Sequence, residues 1–340
     1  MEKILVFGAG GFIGTYLVDR LLESGYEVVA SDNNDICSEY YDSIGVDYVK
    51  LDITSQEEFR KVSNRQYSAI VNLAAMQPAN VSEKNYSSVD YIRINVLGTL
   101  NILNFCIQNG VKRFVSATSH RNTQGLWYQK KPIREEDGRS LKYSGQYSMF
   151  SISESAAQDC ILHYTEEYGL KGIILRLPPV YGYGPHTEIF MDGKPIKTGF
   201  RIFIDNAKEH KPLQLWGNAD IGRDVVYIKD VVAAFLQAIR KTDVCGIFNI
   251  ASGYKLSIRE EAKIIADVFW EGNSDPVFID LPEKENNIEE FVYDISKAKE
   301  ELEWIPLYSF KDMLLDTIEE QKKDKYHYLI EKRKIQLQNN

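Results

Sequence analysis

The sequence predicts an α/β fold with a doubly wound parallel sheet and a smaller C-terminal lobe. Three observations predict it. Short apolar runs alternate with amphipathic stretches through the first half, a glycine-rich turn follows the first run, and the alternation ends near residue 178. Strand-length runs separated by helical patterns indicate βαβ units. Because the runs are β-branched and almost continuously apolar, we expect strands covered on both faces.

The elements can be assigned in chain order. The expected strands are KILVF, YEVVAS, VDYVKL, SAIVNLAA, VKRFVSAT and KGIILRL. Helical spacing is found in TYLVDRLLES, SQEEFRKVS, DYIRINVLGTLNILNFCIQNG and SISESAAQDCILHYTEEYG. Gly and Pro then cluster in PPVYGYGPHTEIFMDGKPIKTG, and shorter elements follow. We therefore expect a nucleotide-binding domain at 1–178, a second lobe mainly at 179–330 with segments returning to the first domain, and a polar tail at 331–340.

Composition excludes several classes of function. The chain has 340 residues, a net charge of −9 and a pI near 5.3, which argues against binding to nucleic acid or to a membrane surface. No apolar run is long enough for a signal or membrane helix, so we expect a cytoplasmic protein. The cysteines form no CxxC pair and have no metal-ligand spacing, which indicates reduced thiols and no metal site; they are Cys37, Cys106, Cys160 and Cys245.

The glycine-rich turn, VFGAGGFIGTYL, predicts a dinucleotide site. Gly8, Gly11 and Gly14 follow the first strand and open a helix, whose amides and dipole favour a pyrophosphate. Asp32 follows the second strand, where a carboxylate can accept hydrogen bonds from an adenosine ribose. No arginine follows directly in SDNND, so NAD is favoured over NADP. The alternative is a glycine-rich turn and a surface aspartate without a ligand.

Several further blocks give the sequence a family resemblance. The spacing GxxGxxG and the blocks NLAAM, INVLGTLNIL, KRFVSATS, LRLPPVYGYGP, RDVVYIKDVVAAF and LEWIPLYSF occur in order over nearly the whole length. The chain thereby resembles the extended short-chain dehydrogenase/reductase family, specifically its NAD-dependent nucleotide-sugar epimerases, dehydratases and reductases. The resemblance implies a Rossmann-type fold, NAD as cofactor, a nucleotide-diphosphate sugar as ligand, and a setting in polysaccharide biosynthesis. It also implies a homodimer that pairs through two long helices, here 85–109 and 144–168.

Matching the motifs residue by residue gives the expected cofactor site. The residues that the resemblance places around NAD are Gly8, Gly11, Phe12, Ile13, Gly14, Asp32, Asn33, Asp52, Ile53, Leu73, Ala74, Ala75, Asn95, Tyr147 and Pro178.

The stretch QYSMFSIS raises the central question about catalysis. Relatives carry a tyrosine and, four residues later on the same helix face, a lysine. The tyrosine takes a proton from a sugar hydroxyl, and the lysine supplies positive charge, because a free tyrosine has a pKa of about 10. Here Tyr147 occupies the tyrosine position, but Ser151 occupies the lysine position. The missing charge would come from the oxidised nicotinamide, from His120 or from Arg121; the alternative is a Tyr147 that only packs against cofactor or core.

The strand-five motif supplies the third expected catalytic group. Ser119, with Thr118 as the alternative, would donate a hydrogen bond to the reacting oxygen; a serine there can also simply satisfy backbone groups. Dehydratases of the family carry an acidic pair next, but HRN follows here, which argues against dehydration.

The substrate side is expected around a second set of residues. Arg223 would grip a diphosphate through its planar fork, unless it only forms a surface ion pair with Asp224 or Asp230. Trp216 could stack on a base or belong to the core. Pro179 replaces an asparagine found in many relatives. The complete expected set is Ser119, His120, Arg121, Pro179, Trp216 and Arg223.

Together these assignments predict NAD-dependent oxidation at C4 of a nucleotide-diphosphate sugar to a 4-keto species, as in a 4-epimerase or a 4-dehydrogenase. One alternative is a reductase of 4-keto sugars. The other is a catalytically impaired relative that only binds NAD and a nucleotide sugar, for which the serine at position 151 is the main argument.

Overall fold

A seven-stranded parallel sheet forms the centre of the protein, whose computed structural model describes residues 2–78, 87–145, 147–184, 189–191, 194–272 and 274–339. Numbered in chain order, its strands lie β13-β6-β5-β4-β1-β2-β3 across the sheet. Their bounds are β1 Lys3–Phe7, β2 Glu27–Asp32, β3 Asp47–Lys50, β4 Ala69–Asn72, β5 Arg113–Ser119, β6 Lys171–Leu177 and β13 Gly246–Asn249. This order is that of a doubly wound Rossmann-type sheet, so the predicted fold class is confirmed.

The side chains of β1 show why the sheet is covered on both faces. Ile4 and Val6 belong to one buried cluster, whereas Leu5 and Phe7 belong to another on the opposite face. Successive side chains of a strand point to opposite faces, so an unbroken apolar run requires two covering layers.

Helices supply those two layers. Helix α1 (Phe12–Glu23) packs with α7 (Ile228–Arg240) on one face. Helices α4 (Thr99–Gln108) and α5 (Ser148–Tyr168) cover the other. Short helices α2 (Ser38–Ser43) and α3 (Ser88–Tyr91) complete the domain, and a π-helical segment at Ile92–Gly98 joins α3 to α4. The stretch SQEEFRKVS, predicted as a helix, forms only a 3-10 turn at Gln56–Lys61.

The second lobe is built from short paired strands and four helices of the described chain. Its strands pair β7 (Val180–Tyr181) with β12 (Val226–Tyr227), β8 (Ile189–Met191) with β9 (Lys194–Ile196), β10 (Leu213–Trp216) with β15 (Phe278–Leu281), and β11 (Gly222–Arg223) with β14 (Leu256–Ser257). The helices are α6 (Gly199–Lys208), α8 (Ile258–Phe269), α9 (Ser296–Glu301) and α10 (Phe310–Lys323). Between them, α7 packs against the central sheet and β13 forms its edge strand beside β6.

The C-terminal helix α11 (His327–Asn339) lies against the first domain. Tyr326, Leu329 and Ile330 are buried in the same cluster as α1, and the Tyr326 hydroxyl donates to Asp19 Oδ2 at 2.6 Å. Residues 331–339 of the expected polar tail are therefore a helical extension of the nucleotide-binding side of the molecule.

The described ranges contain neither a membrane-spanning helix nor a cluster of metal ligands. None of the helices is both long and apolar enough to cross a membrane. No group of three or more His, Cys, Asp or Glu side chains in these ranges is arranged to hold a metal ion.

Candidate active site

A cavity of about 1590 Å³ opens at the carboxyl ends of the central strands, between the sheet and the second lobe. Ligands of open α/β sheets bind at this edge. The cavity brings together every residue predicted for the site except Ser151: Gly8, Gly11, Phe12, Ile13, Gly14, Asp32, Asn33, Asp52, Ile53, Leu73, Ala74, Ala75, Asn95, Thr118, Ser119, His120, Arg121, Tyr147, Pro178, Pro179, Trp216 and Arg223 all line it.

The glycine-rich turn leaves no room for side chains. Gly8 has a φ of +75°, and a Cβ placed on it would lie 2.5 Å from the Leu73 carbonyl carbon. A Cβ on Gly14 would lie 2.2 Å from the Gly8 oxygen, where α1 meets β1. Glycine therefore permits both the turn and the close packing that bring the amides at the start of α1 to the cavity, as a bound pyrophosphate requires.

Asp32 ends β2 beside this turn. Its Oδ2 accepts a hydrogen bond from the Gly10 amide at 3.0 Å, and its Oδ1 accepts from the Asn33 amide at 2.8 Å. Burial raises the pKa of Asp32, and these backbone hydrogen bonds oppose the rise. The carboxylate is thus held in one orientation toward the cavity, with lone pairs left for ribose hydroxyls.

Asn95 connects three elements around the cofactor cavity. It lies in the π-helical segment and is almost fully buried. Its Oδ1 accepts from the Met76 amide at 2.7 Å, and its Nδ2 donates to the Met76 carbonyl at 3.2 Å and to Ser153 Oγ at 3.0 Å. These contacts fix the loop that follows β4 against α5, so Asn95 shapes the cavity wall with its polar atoms already engaged.

Tyr147, Ser119 and Arg121 meet at one end of the cavity. Tyr147 immediately precedes α5, and the Arg121 guanidinium carbon lies 3.6 Å from the centre of its ring. Ser119 ends β5, and its Oγ accepts a hydrogen bond from the Arg121 amide at 3.2 Å, which leaves the hydroxyl proton free to donate. The backbone turn at Ser119 therefore positions the arginine over the tyrosine.

Of the two protein groups considered for the missing charge, His120 is unsuited. Burial, with the neighbouring Arg121 and Arg223, lowers the pKa of His120 well below its usual value, so the ring is neutral at pH 7. Its ring packs beside those of Trp127 and Phe291, with ring centres 5.8 and 5.4 Å away. Arg121 is the remaining positive side chain of the pair, and it is the one in contact with the tyrosine ring.

Ser151 and Thr118 are less available to a ligand. Ser151 is completely buried, and its Oγ has no hydrogen-bond partner within the described residues. Thr118 lines the cavity, but its Oγ1 accepts from Asn122 Nδ2 at 2.8 Å. Of the two candidates at the end of β5, Ser119 therefore has the more accessible hydroxyl.

Arg223 lines the part of the cavity where the substrate is expected. Its Nη2 lies 3.4 Å from the Tyr181 hydroxyl, and its Nη1 lies 3.5 Å from Glu289 Oε2. Neither aspartate considered as an alternative partner binds it. Asp224 accepts from the amides of Ser252 and Tyr293, and Asp230 accepts from the amides of Leu307 and Tyr308.

Four glutamates that were not foreseen from the sequence line the cavity: Glu154, Glu261, Glu285 and Glu289. Glu289 bridges the two ends, because its Oε1 lies 3.6 Å from Arg121 Nη1 while its Oε2 faces Arg223. Glu261 on α8 is buried, which raises its pKa to about 7 against the opposing charge of Arg223. Glu154 lies on α5 one turn beyond Ser151, and burial raises its pKa to about 8. The acidic residues at 260–261 and 289–290 follow no motif, so only their spatial placement identifies them.

Trp216 lies at the outer part of the substrate side. Its ring is 45% exposed although it lines the cavity, and Lys284 Nζ lies 4.5 Å from the ring centre. An exposed indole is free to stack on a flat ligand, which fits a base better than a place in the core.

Comparison with known proteins agrees with this geometry. The model of the NAD-dependent epimerase/dehydratase family matches residues 4–251. This chain belongs to that family. The UDP-glucuronate 4-epimerase of Thermodesulfobacterium geofontis is 27% identical over 330 residues, covering 94% of this chain and 95% of that protein.

Two solved epimerases have the same fold along their whole length. The UDP-glucose 4-epimerase of Thermotoga maritima, solved with UDP-glucose, is 26% identical, with a TM-score of 0.76 over 94% of this chain and 99% of that one. The UDP-glucose 4-epimerase of Thermus thermophilus, solved with NAD, is 25% identical, with a TM-score of 0.73 and the same two coverages. The predicted resemblance to the nucleotide-sugar branch of the extended short-chain dehydrogenases/reductases is confirmed, and so is NAD as the cofactor of this family member.

Proposed function

We propose that this member of the epimerase/dehydratase family oxidises C4 of a nucleotide-diphosphate sugar and acts as a 4-epimerase. The observation that carries the proposal is the contact between Tyr147 and the Arg121 guanidinium beside Ser119. Bound NAD supplies the hydride acceptor and donor. Similarity to 4-epimerases of UDP-glucose and UDP-glucuronate supports reaction at C4 without deciding between these sugars.

In this mechanism the protein holds and moves one proton. Ser119 donates a hydrogen bond to the sugar oxygen, and the Tyr147 phenolate takes the proton of that hydroxyl as the carbon gives up hydride. Arg121 provides the positive charge that relatives obtain from lysine, because a phenolate is favoured by a nearby cation. When the keto sugar rotates in the cavity before it takes the hydride back, Tyr147 returns the proton and the configuration at C4 is inverted.

The substrate is held from the opposite end of the cavity. Arg223 binds the diphosphate and Trp216 stacks on the base, which leaves the sugar between Glu289 and Tyr147. An arginine that faces a carboxylate at 3.5 Å, beyond hydrogen-bond distance, can exchange it for the closer, bidentate contacts of a phosphate. Substrate binding therefore releases Glu289 from Arg223.

A second candidate function is binding without turnover. It is favoured by one observation: the position that carries the lysine in relatives is a fully buried serine outside the cavity lining. A keto sugar that leaves before hydride returns would instead make the protein a 4-dehydrogenase, or a reductase in the reverse direction.

The test combines the protein and NAD with UDP-, GDP-, CDP- and dTDP-sugars, and follows both the reduced-nicotinamide absorbance and the sugar products. A changed sugar without net reduction is expected. Tyr147→Phe should lower turnover by about 10²–10⁴-fold while NAD still binds, since general acid–base catalysis contributes that much. Arg121→Met should also lower turnover. Net reduction of NAD would identify a dehydrogenase. No change in absorbance or in any sugar of the panel, with NAD still bound, would identify a binding protein.

A further inference from the structure

The C-terminal helix reaches the adenosine side of the cofactor cavity. Leu329 and Arg333 of α11 line the same cavity as Asp32 and the glycine-rich turn. The helix is anchored at its start, where Lys325 Nζ lies 2.7 Å from Asp19 Oδ2 on α1. It is anchored again where Tyr328 and Lys332 contact Glu39 of α2.

Arg333 presents a charged side chain to the cavity. Among the described residues its guanidinium has no hydrogen bond and no ion pair. Asp32 is the charged group whose field acts on the pKa of Arg333. Burial lowers the pKa of Arg333 to about 10, and the Asp32 carboxylate opposes that decrease. Reciprocally, Arg333 is the charged side chain that opposes the raised pKa of Asp32. A half-buried cation with five N–H donors and no acceptor is costly unless a ligand supplies oxygens.

The position of Asp32 indicates which part of the cofactor lies there. Asp32 is bound to the Gly10 amide on one side and to the Asn33 amide on the other. A carboxylate at this point accepts hydrogen bonds from the adenosine ribose, and an arginine beside it is the group that accommodates a 2′-phosphate.

We propose that helix α11 is part of the cofactor site, that Arg333 binds at the 2′ oxygen of the adenosine ribose, and that the cavity therefore accepts NADP as well as NAD. With NAD, Asp32 accepts the 2′ hydroxyl proton while Arg333 donates to the same oxygen. With NADP, the guanidinium offsets the repulsion between the phosphate and Asp32. Binding of the cofactor by Arg333 does not depend on which reaction takes place at C4.

The test measures the dissociation constants of NAD and NADP by calorimetric titration, on the full-length chain without sugar. NADP is expected to bind within about tenfold of NAD. Arg333→Ala should weaken NAD about fivefold and NADP about fiftyfold, since a lost charged hydrogen bond costs more when its acceptor is a phosphate. Ile335→Ala is the matched control, because this residue is on the same helix, is 54% exposed and lies outside the cavity lining; the dissociation constants of both cofactors should stay unchanged.

Three results would overturn the proposal. Equal loss of NAD and NADP in Arg333→Ala would place the guanidinium on the pyrophosphate instead. No loss of either would remove α11 from the site, and a wild-type chain that binds NAD without binding NADP would exclude the 2′-phosphate. Urea unfolding of both variants without cofactor should match the wild type, which separates loss of binding from loss of fold.

Discussion

At the scale of single residues, the charges around Arg223 make substrate binding dependent on pH. Arg223 is faced by Tyr181, Glu289 and Glu261, and the last of these has a pKa raised to about 7 by burial. A diphosphate adds negative charge, so it binds better when Glu261 is protonated. Affinity for a nucleotide sugar should therefore be highest below pH 7 and decrease, by up to about tenfold, as the pH rises to 8.5.

Calorimetric titration of the tightest-binding nucleotide sugar at several pH values measures this dependence, since its diester phosphates keep their charge. Glu261→Gln should bind with nearly constant affinity over the same range. If the variant retained the wild-type slope, another group would be responsible. The free energy of unfolding of the free protein should also decrease as the pH rises from about 4.3 to about 7. In this range Glu261 is ionised in the unfolded chain but still protonated in the folded one, which favours the unfolded state.

At the scale of elements, helix α5 carries two buried serines, Ser151 and Ser153, whose hydroxyls have different surroundings. Ser151 has no partner for its hydroxyl within the described chain, whereas Ser153 Oγ donates to the Phe150 carbonyl at 2.9 Å and accepts from Asn95. Ser151→Ala should leave the free energy of unfolding unchanged or raise it by about 1 kcal/mol, because an unsatisfied buried hydroxyl is removed. NAD affinity should not change, since Ser151 does not line the cavity.

The matched control is Ser153→Ala on the same helix. It leaves Asn95 without one acceptor and should lower the free energy of unfolding by about 1–2 kcal/mol, as measured by urea denaturation. A marked loss of NAD affinity in Ser151→Ala would show that this hydroxyl contacts the cofactor.

Elements with a local pattern could be predicted from the sequence, and elements defined by packing could not. The continuous apolarity of KILVF identifies β1 with its observed bounds, whereas α1 begins at Phe12, three residues before the predicted stretch TYLVDRLLES. SQEEFRKVS has a helical pattern, but it forms only a short 3-10 turn between β3 and β4. Its propensity was overridden by its surroundings.

At the scale of the whole molecule, the site combines residues that no local motif connects. Tyr147 and Ser119 follow from family spacing, because strand ends and helix starts converge at one edge of the sheet. Glu289 and Arg333 come from distant parts of the chain and enter the cavity only through the fold. SDNND favours NAD in the sequence, whereas Arg333, whose charge acts on Asp32, lies about 300 positions later and forms no local motif with it.

The face formed by α3, the π-helical segment and α5 exposes several large apolar side chains to solvent. Val89, Ile92 and Leu97 are 69%, 41% and 43% exposed, and Met149 and Ile152 of α5 are partly exposed beside them. The positions 85 and 86 of the expected pairing helix lie outside the described residues. Exposed apolar groups that continue across two packed helices favour association, so we expect a homodimer through this face.

Leu97→Glu should convert the dimer to a monomer, because two carboxylates would be buried near each other across a twofold axis. Leu315→Glu is the control, since Leu315 is similarly exposed, at 47%, on α10 away from this face. Molar mass from light scattering should be about twice the chain mass for the wild type and Leu315→Glu, and equal to the 39.0 kDa chain mass for Leu97→Glu. A monomeric wild type would contradict the homodimer, whereas a dimeric Leu97→Glu variant would move the interface elsewhere. Because α5 begins directly after Tyr147, a dimer through this face would also restrain the helix that follows the proposed catalytic tyrosine, and the monomeric variant should then have a lower turnover as well.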